Sequence, residues 1–235
     1  MSDDKRVIER VSEVAKSSVG EHLVNVLKAA LSTAPFAGGI ASLMNDYIPS
    51  GRQSRLEEFA ENLGKELSAL QNYVKEETIL TDEFAYLFEQ CFRGAADNYQ
   101  NVKLDAFRNI LLNAAIRSGG NSQEQEYFLS LVSSLSTLHI RILHFMASPE
   151  RYLEGYGISP NNIRGGFSEF FPVAIPDANL DMIKAAFGDL HQAGFINTDK
   201  SMFGTMTSGQ GLQLLNGRVL PLGVRFIQFC TKPNV

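Results

Sequence analysis

Tryptophan is absent from this 235-residue chain, and cysteine and histidine are scarce, at two and four residues. Two cysteines far apart, Cys91 and Cys230, cannot staple a disulfide scaffold. Each lies in an apolar helical stripe, so buried thiols in a reducing, cytoplasmic setting are expected. There is no Asn-x-Ser/Thr sequon, and the opening MSDDKRVIERVSEVAK is too charged for a signal-peptide core. The uncharged run Ala29–Asn45, interrupted by Ser32, Thr33, Pro35, Gly38, Gly39 and Ser42, falls short of the roughly 20 apolar residues that a membrane helix needs. Basic residues are outnumbered 21 to 26, for a formal charge of −5, which disfavours broad phosphate binding.

Catalytic signatures are missing as well. There is no Gly-x-Ser-x-Gly elbow, Walker A loop or His-Glu-x-x-His. His139 and His144 are five apart, which separates them by roughly 140° around a helix. His22 and His191 have no ligand partners at metal spacing. Each histidine therefore reads as structural or as surface decoration. Gly209-Gln210-Gly211 lacks the lysine and the following helix of a phosphate loop and reads as a turn. The carboxylates fall on solvent faces, with Asp97, Asp105 and Asp181 the three worth watching. No metal and no cofactor are expected, and no enzyme.

What is present is helical periodicity. Val7 to Leu31 repeats apolar residues at helical spacing, and Arg52 to Lys75 does so most clearly, through Leu56, Phe59, Leu63, Leu67, Leu70 and Val74. Thr81 is a predicted N-cap, with Asp82 and Glu83 in the turn that favours negative charge. Its helix carries Phe84, Leu87, Phe88, Cys91, Phe92 and Ala95 on one face. Asn101 to Arg117 follows and ends at Gly119-Gly120. These elements predict a bundle of about five helices over residues 1–135.

From Ser136 the character changes. Up to Leu135 there are 13 basic and 19 acidic residues, net −6; beyond it there are 8 and 7, net +1. Ser136 is a predicted N-cap for a helix to Ala147, stopped by Ser148-Pro149. Residues 149–176 are rich in glycine, proline and aromatics, with at most a short helix near Glu150–Tyr156. Asp177 or Asn179 caps a helix through Leu180, Ile183, Phe187 and Leu190, and Gly194 closes it. Phe195–Thr198 reads as a strand, and Asn216-Gly217 between Gly211–Leu215 and Arg218–Leu220 reads as a hairpin. Pro221 opens a last helix. The expected fold is mostly α: a helical bundle over 1–135, then a winged-helix-like domain over 136–235 with a small antiparallel β-ribbon.

Two segments carry functional interest. Ala29–Asn45 is seventeen residues without a charge, broken by Pro35 and Gly38-Gly39. It reads either as a buried helical corner or as a partner- or membrane-associating segment through Ala34, Pro35, Phe36, Gly38, Gly39, Ile40 and Leu43. The other is the helix within Ala178–Ala193, which a winged helix would lay on DNA. It offers Lys184 and Gln192, with Lys200 and Arg218 nearby as the remaining candidate DNA contacts. One lysine, no arginine and two carboxylates make a poor groove reader.

The segments KLDAFRNILLN (Lys103–Asn113), FLSLVSSLSTLHIRILHF (Phe128–Phe145), LHQAGFI (Leu190–Ile196) and the closing LPLGVRFIQFC resemble bacterial proteins with a helical N-terminal region and a C-terminal winged helix. The layout is similar to the abortive-infection alpha family, which is associated with phage defence. The resemblance covers roughly the last 130 residues and brings no catalytic motif. It implies a bacterial, defence-associated, non-enzymatic protein. The sequence expectation is thus an interaction or regulatory protein that binds a protein partner or itself, or associates with a membrane through 29–45. The alternative is a winged-helix DNA-binding regulator with the bundle as its dimerisation or sensing domain.

Overall fold

The computed structural model describes residues 50–233, apart from 71, 75, 80, 117–121 and 206–210. The chain divides into two compact units. One holds the described residues up to Ser133 together with those from Phe229 onward; the other is Ser134–Gln228.

In the first unit, α1 (Ser50–Ala69) and a single turn, α2 (Glu76–Ile79), precede α3 (Asp82–Asp97), α4 (Asn101–Ile116) and α5 (Ser122–Ser134). The expected Arg52–Lys75 helix stops early, at Ala69. Leu70 N–H is shared between the Glu66 and Leu67 carbonyls, and Tyr73 and Val74 N–H turn back onto Leu70 O. The stripe survives this break, because Phe59, Leu63, Leu67, Leu70 and Val74 are all buried. α3 starts as its sequence predicts: Thr81 Oγ1 accepts from Phe84 N–H at 3.2 Å. Its aromatic face is buried, with Phe92 edge-on to Phe59 at 5.0 Å and stacked on Phe88 at 4.4 Å. Each such ring removed from water contributes about 1.5–3 kcal/mol.

Two polar side chains of α4 are buried for a reason that periodicity does not reveal. Lys103 is 7% exposed, and its Nζ donates to Ser133 O at 3.0 Å. The ammonium thus sits at the negative end of α5, where a cation is favoured. Asn113 Nδ2 donates to the carbonyls of Thr231 (2.8 Å) and Phe229 (3.3 Å), and Asn109 Nδ2 to that of Cys230 (3.0 Å). A helix end leaves its last carbonyls without intrahelical partners. Asn109 and Asn113 supply them, and so hold the chain's final described turn within this unit.

The second unit contains α6 (Thr137–Ala147), α7 (Pro149–Gly155), α8 (Phe167–Ala174), α9 (Leu180–Gln192) and the start of α10 (Pro221–Cys230), with 3-10 turns at Pro160–Asn162, Lys200–Gly204 and Gly211–Leu215. Its core is a cluster of buried phenylalanines. Phe171 lies 5.4 Å from Phe145, 5.8 Å from Phe187 and 5.3 Å from Phe203. α8 forms in a stretch whose glycine and proline content predicts no helix there. It is launched by a Gly-x-x-Glu cap, in which Gly166 N–H donates to Glu169 Oε2 at 3.0 Å. It carries Pro172 inside its eight residues. α9 is capped by Asn179, whose Oδ1 accepts from Met182 N–H at 2.8 Å. It closes at Gly194 (φ 72°) with Gly194 N–H on His191 O and Phe195 N–H on Leu190 O. α10 opens on Pro221.

The winged-helix-like domain with its β-ribbon is not formed. Among the described residues there is no sheet, only one isolated antiparallel bridge, Ile196–Val219. Mostly α is what holds. Gly211–Leu215 is a 3-10 turn that buries Gly211, Leu214 and Leu215 on one side, a spacing of three and four that a strand cannot bury together. Asn216-Gly217 does turn the chain, with Gly217 at φ 67° and Arg218 N–H on Leu215 O, but it closes that 3-10 turn rather than a hairpin. Arg218 Nε then donates to Leu214 O, taking a carbonyl that a strand pairing would need.

The most extensive helix pairing in the first unit is α3 on α4, where a Cβ on Gly94 would overlap the fully buried Phe107 ring. Gly94→Ala gains about 1 kcal/mol of helix propensity but overpacks a rigid ring, which costs about 1–3 kcal/mol. We expect net destabilisation in urea unfolding, with Phe107→Leu in the same chain recovering part of it. A stabilised Gly94→Ala protein would show that this crossing has room for the added methyl.

Candidate functional site

The sequence-predicted positions are dispersed. Ala34, Pro35, Phe36, Gly38, Gly39, Ile40 and Leu43 lie outside the described residues. Lys184 is half-buried on α9, and Gln192 is exposed at its end. Lys200 is exposed, its stem lying alongside Gly188 of α9. Arg218 is committed inside the unit: besides Leu214 O it donates through Nη1 to Thr198 Oγ1 at 2.8 Å, and it stands 5.6 Å from the centre of the Phe167 ring. Asp97, Asp105 and Asp181 are exposed, and Asp105 pairs with Arg108 at 2.6 Å. Among the described residues no three His, Cys, Asp or Glu side chains are placed to hold a metal, and no single helix is long and apolar enough to cross a membrane.

Three constellations are assembled instead. In the first unit, the N-terminal ends of α3 and α5 frame a groove of about 280 Å³ lined by Asp82, Glu83, Tyr86, Leu87, Gln125 and Glu126. Tyr86 is 43% exposed, and Tyr127, next in sequence to Glu126, is 44% exposed. Asp82 and Glu83 also complement the positive end of α3.

In the second unit, Arg141 of α6 is held on three sides. Its Nη1 donates to Asp177 at 2.6 Å, its Nε donates to Tyr152 Oη at 3.3 Å, and its guanidinium lies 5.2 Å from the centre of the Tyr156 ring. The Arg141 bond holds the Asp177 carboxyl below the ordinary carboxylate range. Burial pushes the Tyr152 phenol up to about 12. His144, edge-on to Tyr152 at 5.8 Å, is lowered by burial and by the nearby Arg151 charge. This is a structural latch joining α6, α7 and the segment before α9, in which Arg141 Nε and Nη1 are both engaged.

The third constellation centres on His139. Ser136 caps α6, and its backbone N–H donates to Nδ1 of His139 at 3.2 Å. Ser136 Oγ stands 2.7 Å from that same nitrogen, and His139 Nε2 is 3.1 Å from Asp189 Oδ2 on α9. An N–H can only donate, so Nδ1 is the acceptor and the ring proton belongs on Nε2, directed at the carboxylate. The expected Ser136 cap was legible; that His139 at the third helical position completes it, and that Asp189 fifty residues on meets the far side of the ring, was not. An i, i+3 serine–histidine pair at a helix start is the only local signal.

No family model, no curated protein and no solved structure matches this chain.

The His144 environment sets a pH dependence. Its folded pKa lies below the unfolded value, so the unfolded chain takes up the proton first as pH falls. Stability is complete above the unfolded pKa, near 6.5, and declines as pH drops through it toward the folded value. Urea midpoints between pH 7.5 and 5 should fall, and His144→Phe should flatten that slope while keeping the ring contact. An unchanged slope in the variant would remove His144 as its cause.

Proposed function

We propose that this chain acts by binding a protein partner, and that its groove between α3 and α5 takes a basic segment of that partner. The observation that carries the reading is the groove's composition. Three carboxylates, Asp82, Glu83 and Glu126, surround an exposed tyrosine over an apolar floor at Leu87. Tyrosine is enriched at the anchoring centres of interfaces because it offers a large apolar face with a polar tip. Like charges around it favour an oppositely charged visitor and speed its encounter. The resemblance to the abortive-infection alpha family supports a bacterial, defence-associated setting for that encounter.

The uncharged stretch 29–45 supports a second contact, with the same partner or with a membrane surface, because its apolar residues carry no charge to hold them in water. The winged-helix regulator is set aside: without the ribbon, and with Arg218 turned inward, the premise for laying α9 on DNA is gone.

A photo-crosslinking residue at Tyr86 should capture one defined protein in cells of the source organism. A control crosslinker at Tyr156, in the other unit, should not capture it. Charge reversal at Asp82, Glu83 and Glu126 together should abolish the adduct while the circular dichroism spectrum stays unchanged. Equal capture from both positions, or capture that survives charge reversal, would overturn the groove reading. For the 29–45 segment, Phe36→Asp and Gly38→Asp should each reduce co-sedimentation with anionic vesicles several-fold. Vesicle binding that is absent in the parent chain would exclude the membrane contact.

A further inference from the structure

We propose that Ser136, His139 and Asp189 form an acyl-transfer site, with Ser136 as nucleophile, His139 as general base and Asp189 as the residue that positions the imidazole. This goes beyond the partner-binding reading and lies in the other unit. The argument rests on the direction of the hydrogen bonds. Ser136 N–H at 3.2 Å fixes Nδ1 as an acceptor, and the hydroxyl shares its one lone pair as the closer donor at 2.7 Å, while Nε2–H donates across the ring to Asp189. Serine hydroxyl to unprotonated nitrogen, then opposite N–H to carboxylate, is the order that nucleophilic catalysis by serine requires, and geometry rather than sequence position defines it. Here Nδ1, not Nε2, is the nitrogen facing the hydroxyl.

Accessibility fits the roles. Ser136 is exposed, and the His139 side chain is 14% exposed, so the nucleophile can be reached while the base is held. Ser136 also stands at the start of α6, an eleven-residue helix, and a helix start favours negative charge developing nearby. In the reaction, Oγ attacks the carbonyl carbon, the Oγ–C bond forms and the hydroxyl proton moves to Nδ1. Collapse of the tetrahedral adduct breaks the bond to the leaving oxygen, which takes that proton from Nδ1. Water then adds to the acyl-serine, giving its proton to Nδ1. The Oγ–C bond breaks, Oγ recovers that proton, and a carboxylic acid leaves.

Magnitude selects the substrate class. A positioned base contributes about 10²–10⁴-fold, and an open surface adds little of the orientation that an amide demands. The site therefore suits activated acyl donors, such as unhindered esters with a good leaving group.

The test is labelling of the folded full-length protein with a fluorophosphonate, which loses fluoride on attack by an activated serine. Peptide mapping should place the adduct on Ser136. His139→Gln should abolish it, and Asp189→Asn, at an exposed position, should slow it at least tenfold. Ser136→Gly removes the nucleophile but retains an acceptable N-cap residue. It should remain folded and unlabelled, and it should lose turnover of p-nitrophenyl acetate. No adduct on Ser136 in the parent protein, or a labelling rate indifferent to His139→Gln and Asp189→Asn, would overturn the proposal and leave a helix cap.

Discussion

The packing of α6 against α9 is the constraint on which the second unit depends. Phe145 of α6 and Phe187 of α9 both meet Phe171, which α8 inserts between them at 5.4 and 5.8 Å. Buried aromatic rings have few ways to interdigitate, and a change of one methylene in such a core is felt. Once the rings are seated, the two helices have fixed register. Everything polar at their edges then follows, including the approach of Asp189 to His139. The first unit has its own counterpart in the close crossing of α3 and α4 at Gly94, with Asn109 and Asn113 terminating α10.

Two kinds of polar arrangement emerge, and satisfaction separates them. The Arg141 cluster spends its charge internally on Asp177, Tyr152 and Tyr156. Removing one member would leave a partly buried guanidinium short of partners, so its role is stability. The Ser136–His139–Asp189 chain is different, because its serine end is open to solvent. The α3–α5 groove is likewise open, with carboxylates facing outward around Tyr86. Both proposals therefore rest on the open arrangements, and the closed one belongs to the architecture.

Much of the helical framework was legible in the sequence because its signals are local. Thr81, Asn179, Gly194 and Pro221 all do at their helix ends what their residue types allow. The β-ribbon was misread because Asn216-Gly217 specifies a turn but not what flanks it. Leu214 and Leu215 are adjacent and both buried, which suits a 3-10 turn and defeats an alternating strand. α8 was hidden because proline and glycine dominate its neighbourhood, although Gly166-x-x-Glu169 was a readable start. The candidate sites were the least legible. The groove joins α3 to α5, the serine–histidine chain joins residues fifty apart, and no periodicity reports either.

The central claim is about one proton: that His139 carries it on Nε2, facing Asp189, and leaves Nδ1 to accept from Ser136. Long-range proton–nitrogen correlation NMR of imidazole-labelled protein at neutral pH measures this directly. The account predicts a protonated-type Nε2 and an unprotonated-type Nδ1 for His139, with the pattern shifting toward tautomeric averaging in Asp189→Asn. A His139 found as the Nδ1–H tautomer would contradict it, because the serine hydroxyl would then have no base to donate to.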